Sequence, residues 1–203
     1  VAADVPSQGI GVSVTPGVAG VDLGTTRVLA AAVIHDPDHR GVSWTLNGPG
    51  CAGSVCGTIS PGGVYTAPVT APSPAMVTLT AASVTDSTKT ASATILITMP
   101  GVLTVFVLPG GYSQHYTCTG TAPGAFTFAA YVYHDPANRG VSWRAAVGGA
   151  FSRLVTTSGE PVVYSVPTGF VGTTQVIAKS VSDPATFVTA SVHVLPPLPH
   201  GIC

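Results

Sequence analysis

Charge is what this chain has least of: Asp, Glu, Lys and Arg make up 7% of its 203 residues, where about a quarter is usual for a globular protein. Its seven basic residues stand singly, so no stripe exists that would neutralise a run of phosphates, and nucleic acid is excluded as a partner. Glu160 is the only glutamate, and a lone carboxylate of that kind does not supply the acid pair of a glycosidase. No apolar run reaches the 18 or more residues of a membrane-spanning helix, although mean hydropathy is +0.47. Apolar spacing at three and four is also missing, which removes amphipathic helices. The opening "VAADVPSQG" has neither an initiating Met nor a signal-peptide pattern and reads as the start of a processed chain or of a fragment.

What fills the chain instead is Val, Thr, Gly and Pro. Low charge alone would allow disorder, but β-branched residues recur in nearly every segment and favour ordered strands. "GVSVTP", "TRVLAAAVIH", "GVSWTLN", "VYTAP", "AMVTLTAASV" and "KTASATILIT" alternate or run apolar over strand-like lengths. Gly, Pro, Asp and Asn break them.

The same order then comes round again. "HDPDHRGVSW" at 35–44 returns as "HDPANRGVSW" at 134–143, an offset of 99, and "YTAP" at 65–68 faces "YSVP" at 164–167 at the same offset. "SVTD" at 83–86 faces "SVSD" at 180–183, and "VSVTPG" at 12–17 faces "VFVLPG" at 105–110. Matches in order along the whole length mean a duplicated domain. The fold expected is all-β: two tandem sandwiches of about seven strands each, residues 1–99 and 100–197, with little linker and a tail at 198–203. The second copy is enlarged around Cys118 and reads "RLVTTSGEP" where the first has "GTISPGG".

The order of Pro16, Gly24, Val42, Trp44, Gly57, Ile59, Tyr65, Ala67, Pro68, Val77, Leu79, Ala81, Asp86 and the closing "ASATILI" resembles the bacterial immunoglobulin-like domains. That resemblance implies tandem domains of secreted or cell-surface proteins that act as spacers, stalks or adhesive modules, with calcium or a surface partner in some kinds. It implies a bacterial origin as well.

The four cysteines are Cys51, Cys56, Cys118 and Cys203, an even number that suits disulfides in a secreted chain and allows three pairings. Cys51 and Cys56 enclose only "AGSV" and are expected to clip a local loop. Cys118 pairs with Cys203 if the tail folds back. Trp44 and Trp143, each after "GVS", are expected in the core. Tyr65 and Tyr164 sit before a turn proline and are expected to pack at a sheet edge or bond a neighbouring strand.

In "HDPDHR" and "HDPANR" the Asp-Pro pair marks a turn, so Asp36 and Asp135 have a structural reading. The competing reading is weak calcium coordination by Asp36, Asp38 and Asp86, and in the second copy by Asp135, Asn138 and Asp183. None of these loops has the carboxylate density of a dedicated site. His35 and His39 make a poor zinc pair because the second copy keeps only His134. No nucleophile elbow or acid pair stands out, so no cofactor and no enzyme activity are expected.

Three functions are left. The first is a non-catalytic extracellular module that spaces, displays or anchors. The second is a self-assembling subunit of a filament or surface layer, suggested by the poverty of charge that normally keeps monomers apart. The third is a glycan- or protein-binding module using Tyr112 and Tyr116.

Overall fold

The computed structural model describes residues 9–49, 51, 53–115 and 125–196. The chain divides into two compact units, Val1–Pro100 and Gly101–Cys203. In the first lie strands β1 (Gly11–Thr15), β2 (Val18–Asp22), β3 (Thr26–Val28), β4 (Ala30–Ile34), β5 (Val42–Asn47), β6 (Thr58–Ile59), β7 (Val64–Thr66), β8 (Met76–Ser83) and β9 (Thr90–Thr98). In the second lie β10 (Thr104–Leu108), β11 (Gly111–His115), β12 (Phe126–Tyr133), β13 (Val141–Ala145), β14 (Ala150–Phe151), β15 (Val155–Thr156), β16 (Pro161–Ser165), β17 (Gly172–Ser180) and β18 (Phe187–Leu195). Among the described residues the only helical turn is a short 3-10 turn, Gly53–Cys56. Each unit is an immunoglobulin-like β-sandwich, and the fold class is all-β.

In the first unit the larger sheet has the order β2-β9-β8-β5, and the pairs and triplets β1-β4 and β3-β7-β6 make up the other layer. In the second the sheets are β10-β12-β16-β14 and β11-β18-β17-β13-β15. The period-2 pattern explains the cores. Along β8 every second residue is buried, with Val77, Leu79 and Ala81 fully enclosed. The second core centres on Phe126, Phe128, Val162 and Tyr164, side chains whose burial is worth roughly 2–3 kcal/mol each.

One local reading of the sequence is corrected. "TRVLAAAVIH" is not one strand: it breaks at Leu29, so that β3 pairs with β7 while β4 pairs with β1. Each unit also has a strand just after the opening one that the sequence reading did not include, β2 and β11. After Pro16–Gly17 the chain leaves β4 and runs parallel to β9, and after Pro109–Gly110 it leaves β12 and runs parallel to β18. Pro has no N–H to continue a ladder, which is why the change of partner falls there.

Candidate functional site

The repeated phrase is the one place in each unit where His, Asp and Arg gather, so its geometry decides whether chemistry is possible there. Asp36 leaves β4 and turns its carboxylate back into the loop. It accepts from the backbone N–H groups of Asp38 (3.2 Å) and Arg40 (3.0 Å) and from the Thr85 hydroxyl (2.7 Å). Asp135 does the same with Ala137 (3.1 Å), Arg139 (3.0 Å) and the Ser182 hydroxyl (2.7 Å). The hydroxyl of Thr85 holds Asp36 below the usual carboxylate range, helped by the backbone donors and opposed by burial. The Ser182 hydroxyl lowers Asp135 in the same way.

The residues around each carboxylate serve the turn. His35, His39, His134 and Asn138 hold left-handed φ angles of 56°, 49°, 59° and 46°, a region that His and Asn enter more readily than most residues. Asp86 accepts from the N–H and hydroxyl of Thr88, and Asp183 from Ala185 N–H and the Thr186 hydroxyl. These acids cap their own loops. Among the described residues no three His, Cys, Asp or Glu side chains converge as metal ligands. The contact that joins the two loops comes from the hydroxyl one position before Asp86 and Asp183. "SVTD" and "SVSD" both place a hydroxyl there, and that repetition was the available signal.

Cys51 and Cys56 are joined in a disulfide across five positions. The Tyr65 hydroxyl donates to the Cys56 carbonyl at 2.8 Å, and burial pushes its pKa up to about 12. Tyr164 is equally enclosed and donates to the carbonyls of Val147 (3.2 Å) and Gly148 (2.8 Å); burial raises its pKa too. Glu160 accepts from the backbone N–H of Thr157 and pairs with Arg153. The sole glutamate is thus occupied in a turn. Tyr112 stands opposite Val192 in β11, while Tyr116, Cys118 and Cys203 lie outside the described residues.

The two tryptophans differ. Trp143 is 4% exposed, touches Phe151, and donates its indole N–H to the Thr156 hydroxyl at 2.8 Å. Trp44 is half-buried at the rim of its core, and among the described residues nothing accepts from its indole N–H. The cause is a rearrangement hidden inside a constant spacing. Ile59 and Phe151 occupy matching places, each paired with the following Tyr. Ile59 comes 15 positions after Trp44, whereas Phe151 comes only 8 after Trp143; Tyr65 then comes 6 after Ile59 and Tyr164 13 after Phe151. Seven residues therefore sit before the matched strand in the first unit, as the disulfide loop, and after it in the second, as the segment with β15. That segment crosses to pair with β13: Val141 faces Thr156, Ser142 faces Val155, and the Trp143 N–H bonds the Leu154 carbonyl at 2.9 Å.

In the first unit the outer edge of β5 has no strand partner among the described residues. Because the Val84 N–H bonds the Gly41 carbonyl, the β5–β8 register turns the backbone groups of Ser43 and Thr45 toward β8 and those of Val42, Trp44 and Leu46 outward. A cleft of about 510 Å³ opens beside the ring, with Leu29, Ala31, Arg40, Val42, Trp44 and Pro61 among its lining. A second, of about 350 Å³, lies toward Ile59 and Ser60. Another cleft, of about 520 Å³ beside the disulfide loop, has no titratable side chain in its lining. No helix among the described residues is long and apolar enough to cross a membrane.

No family model matches the chain, and no curated protein matches it. Among solved structures, the protocadherin gammaB7 EC3-6 cis-dimer is 11% identical with a TM-score of 0.34, covering 91% of this chain and 47% of that one. The N-terminal eight Ig domains of DSCAM are 17% identical at 0.31, covering 93% and 27%, and Sidekick-1 immunoglobulin domains 1–4 are 12% identical at 0.31, covering 88% and 48%. The chain spans about half or less of the length of these three structures. Likenesses this distant carry no argument about ligands or partners. The expected membership in the bacterial immunoglobulin-like family is corrected: no family model matches the chain.

Proposed function

We propose that this chain is a non-catalytic extracellular module whose two sandwiches space, display or adhere part of a larger protein. The observation that carries the reading is the repeated turn. In both copies the carboxylate set among His and Arg in this phrase is engaged by backbone N–H groups and one hydroxyl, so the phrase builds a frame and its carboxylate is not free to act as a base. The disulfide at Cys51–Cys56 supports an oxidising compartment outside the cytosol. A panel of ester, glycoside, peptide and phosphoester substrates is expected to give no turnover above buffer. Turnover that disappears on Asp36→Asn would overturn the reading.

The poverty of charge favours a second reading, association between copies. With a formal net charge of −1, little electrostatic repulsion separates them. Light scattering across a wide concentration range tests it, and a constant monomer mass would remove it.

A further inference from the structure

We infer that the outer edge of β5 is a docking site for an extended, uncharged peptide strand that carries Thr or Ser opposite Val42, where its hydroxyl reaches the Trp44 indole N–H. The inference rests on the module reading above and names the chemistry of a partner for it.

The second unit of the same chain shows what covers this edge. There Leu154–Thr156 runs antiparallel to β13, closing the backbone groups of Val141 and Trp143 and giving the Trp143 indole its acceptor. With that cover Val141 is fully enclosed and Trp143 nearly so; without it Val42 and Trp44 are half-buried. The Gly-Val-Ser-Trp segment is the same at both edges; around it the covering strand is present in one unit only, and Phe151 packs on Trp143 where the first unit has Ile59. A half-buried indole without an acceptor is an incomplete arrangement, since buried Trp N–H groups normally find a partner.

Within β5 itself nothing blocks strand addition, although Arg40 and Pro61 line the cleft beside its ring. Natural edges are blunted by charge, by Pro or by a bulge. The outward side chains of β5 are Ser43, Thr45 and Asn47, and its register with β8 runs unbroken from Val42 to Asn47. Backbone hydrogen bonds to Val42, Trp44 and Leu46 would supply affinity, and the Thr or Ser side chain beside the ring would supply selectivity. An uncharged segment fits because β15 and its two flanking residues, Leu154-Val155-Thr156-Thr157, carry no charge.

The test uses the full chain and a capped synthetic peptide with the sequence of residues 152–160 in which Gln replaces Arg153 and Glu160, SQLVTTSGQ. Hydrogen exchange is followed residue by residue with and without peptide. Saturable protection is expected at the amides of Val42, Trp44 and Leu46, with Ser43 and Thr45, already bonded to β8, unchanged. Trp44 emission should shift to the blue, and this response should vanish in Trp44→Phe. A peptide with Val at the Thr156 position is expected to bind about fivefold more weakly, the loss of one hydrogen bond, and one N-methylated at Leu154 and Thr156 should not bind. No peptide-dependent protection at millimolar peptide, or protection without the alternation, would overturn the proposal. So would protection of the same amides that grows with protein concentration alone, because the occupant would then be a second copy. None of these results touches the absence of turnover, so the two readings fail separately.

Discussion

Replacing Tyr65 by Phe removes one oxygen from the first sandwich and leaves its packing volume almost unchanged. That oxygen is the donor to the Cys56 carbonyl, and Tyr65 and Cys56 are 0% and 1% exposed. Water has no ready access to the abandoned carbonyl, so the cost is that of an unmet buried acceptor, about 1–3 kcal/mol. For a domain of this size each kcal/mol lowers the melting temperature by roughly 4–8 °C. Guanidinium unfolding should show an earlier midpoint with an unchanged slope. A second readout comes from alkaline pH. The folded phenol holds its proton up to about 12, while the unfolded one loses it near 10. The contribution is thus complete below pH 10 and is lost as pH rises toward 12, by about 2 kcal/mol. Tyr65→Phe should lose that part of the alkaline dependence; what is left includes Tyr164, whose pKa is also raised. An unchanged midpoint, or an alkaline profile identical to the parent, would refute the assignment of the bond.

Asp36→Ala should lower the melting temperature more than Asp135→Ala, since the first is buried and the second half-buried. Both carboxylates have depressed pKa values; their stabilisation is complete above about pH 5 and fades as pH falls through the folded-state values, an acid dependence the double variant should lose in a pH series of melts. Gly41 and Gly140 hold φ of 72° and 74°, but an added Cβ meets nothing within 4 Å at Gly41 and lies 2.0 Å from the Thr156 carbonyl at Gly140. Gly41→Ala should cost about 1–2 kcal/mol and Gly140→Ala clearly more in urea unfolding, and equal costs would refute the cover by β15. Reducing Cys51–Cys56 should cost ~2 kcal/mol, the loop-closure value for so short a ring, measured as a midpoint shift in dithiothreitol.

The sandwich class was legible because alternation over β8 and β17 and the punctuation between strands are local signals. The chain spacing of the repeat was legible too, and it concealed the main difference between the copies. Moving seven residues from one side of the Ile59/Phe151 strand to the other leaves every flanking match at an offset of 99, so counting could not detect it. β15 is only two residues long, and "RLVTTSGEP" gives no alternation from which to read a strand. β2 and β11 were hidden for another reason: VAGVD and GYSQH follow a Pro-Gly turn signal and are too short and too rich in Gly or polar residues to read as strands. Trp44 and Trp143 follow the same tripeptide, and what separates their burial is a neighbour contributed from well over a turn away in sequence.

The parallel pairing of β2 with β9 and of β11 with β18 has a mechanical consequence. In each unit one of the first strands lies beside the last, with five residue pairs in register. Tension that draws the two ends of a unit apart drives these strands past one another lengthwise. The hydrogen bonds of the ladder then carry the load together, whereas tension across a hairpin would open them one at a time. A unit wired this way yields at a higher force than its equilibrium stability alone would indicate.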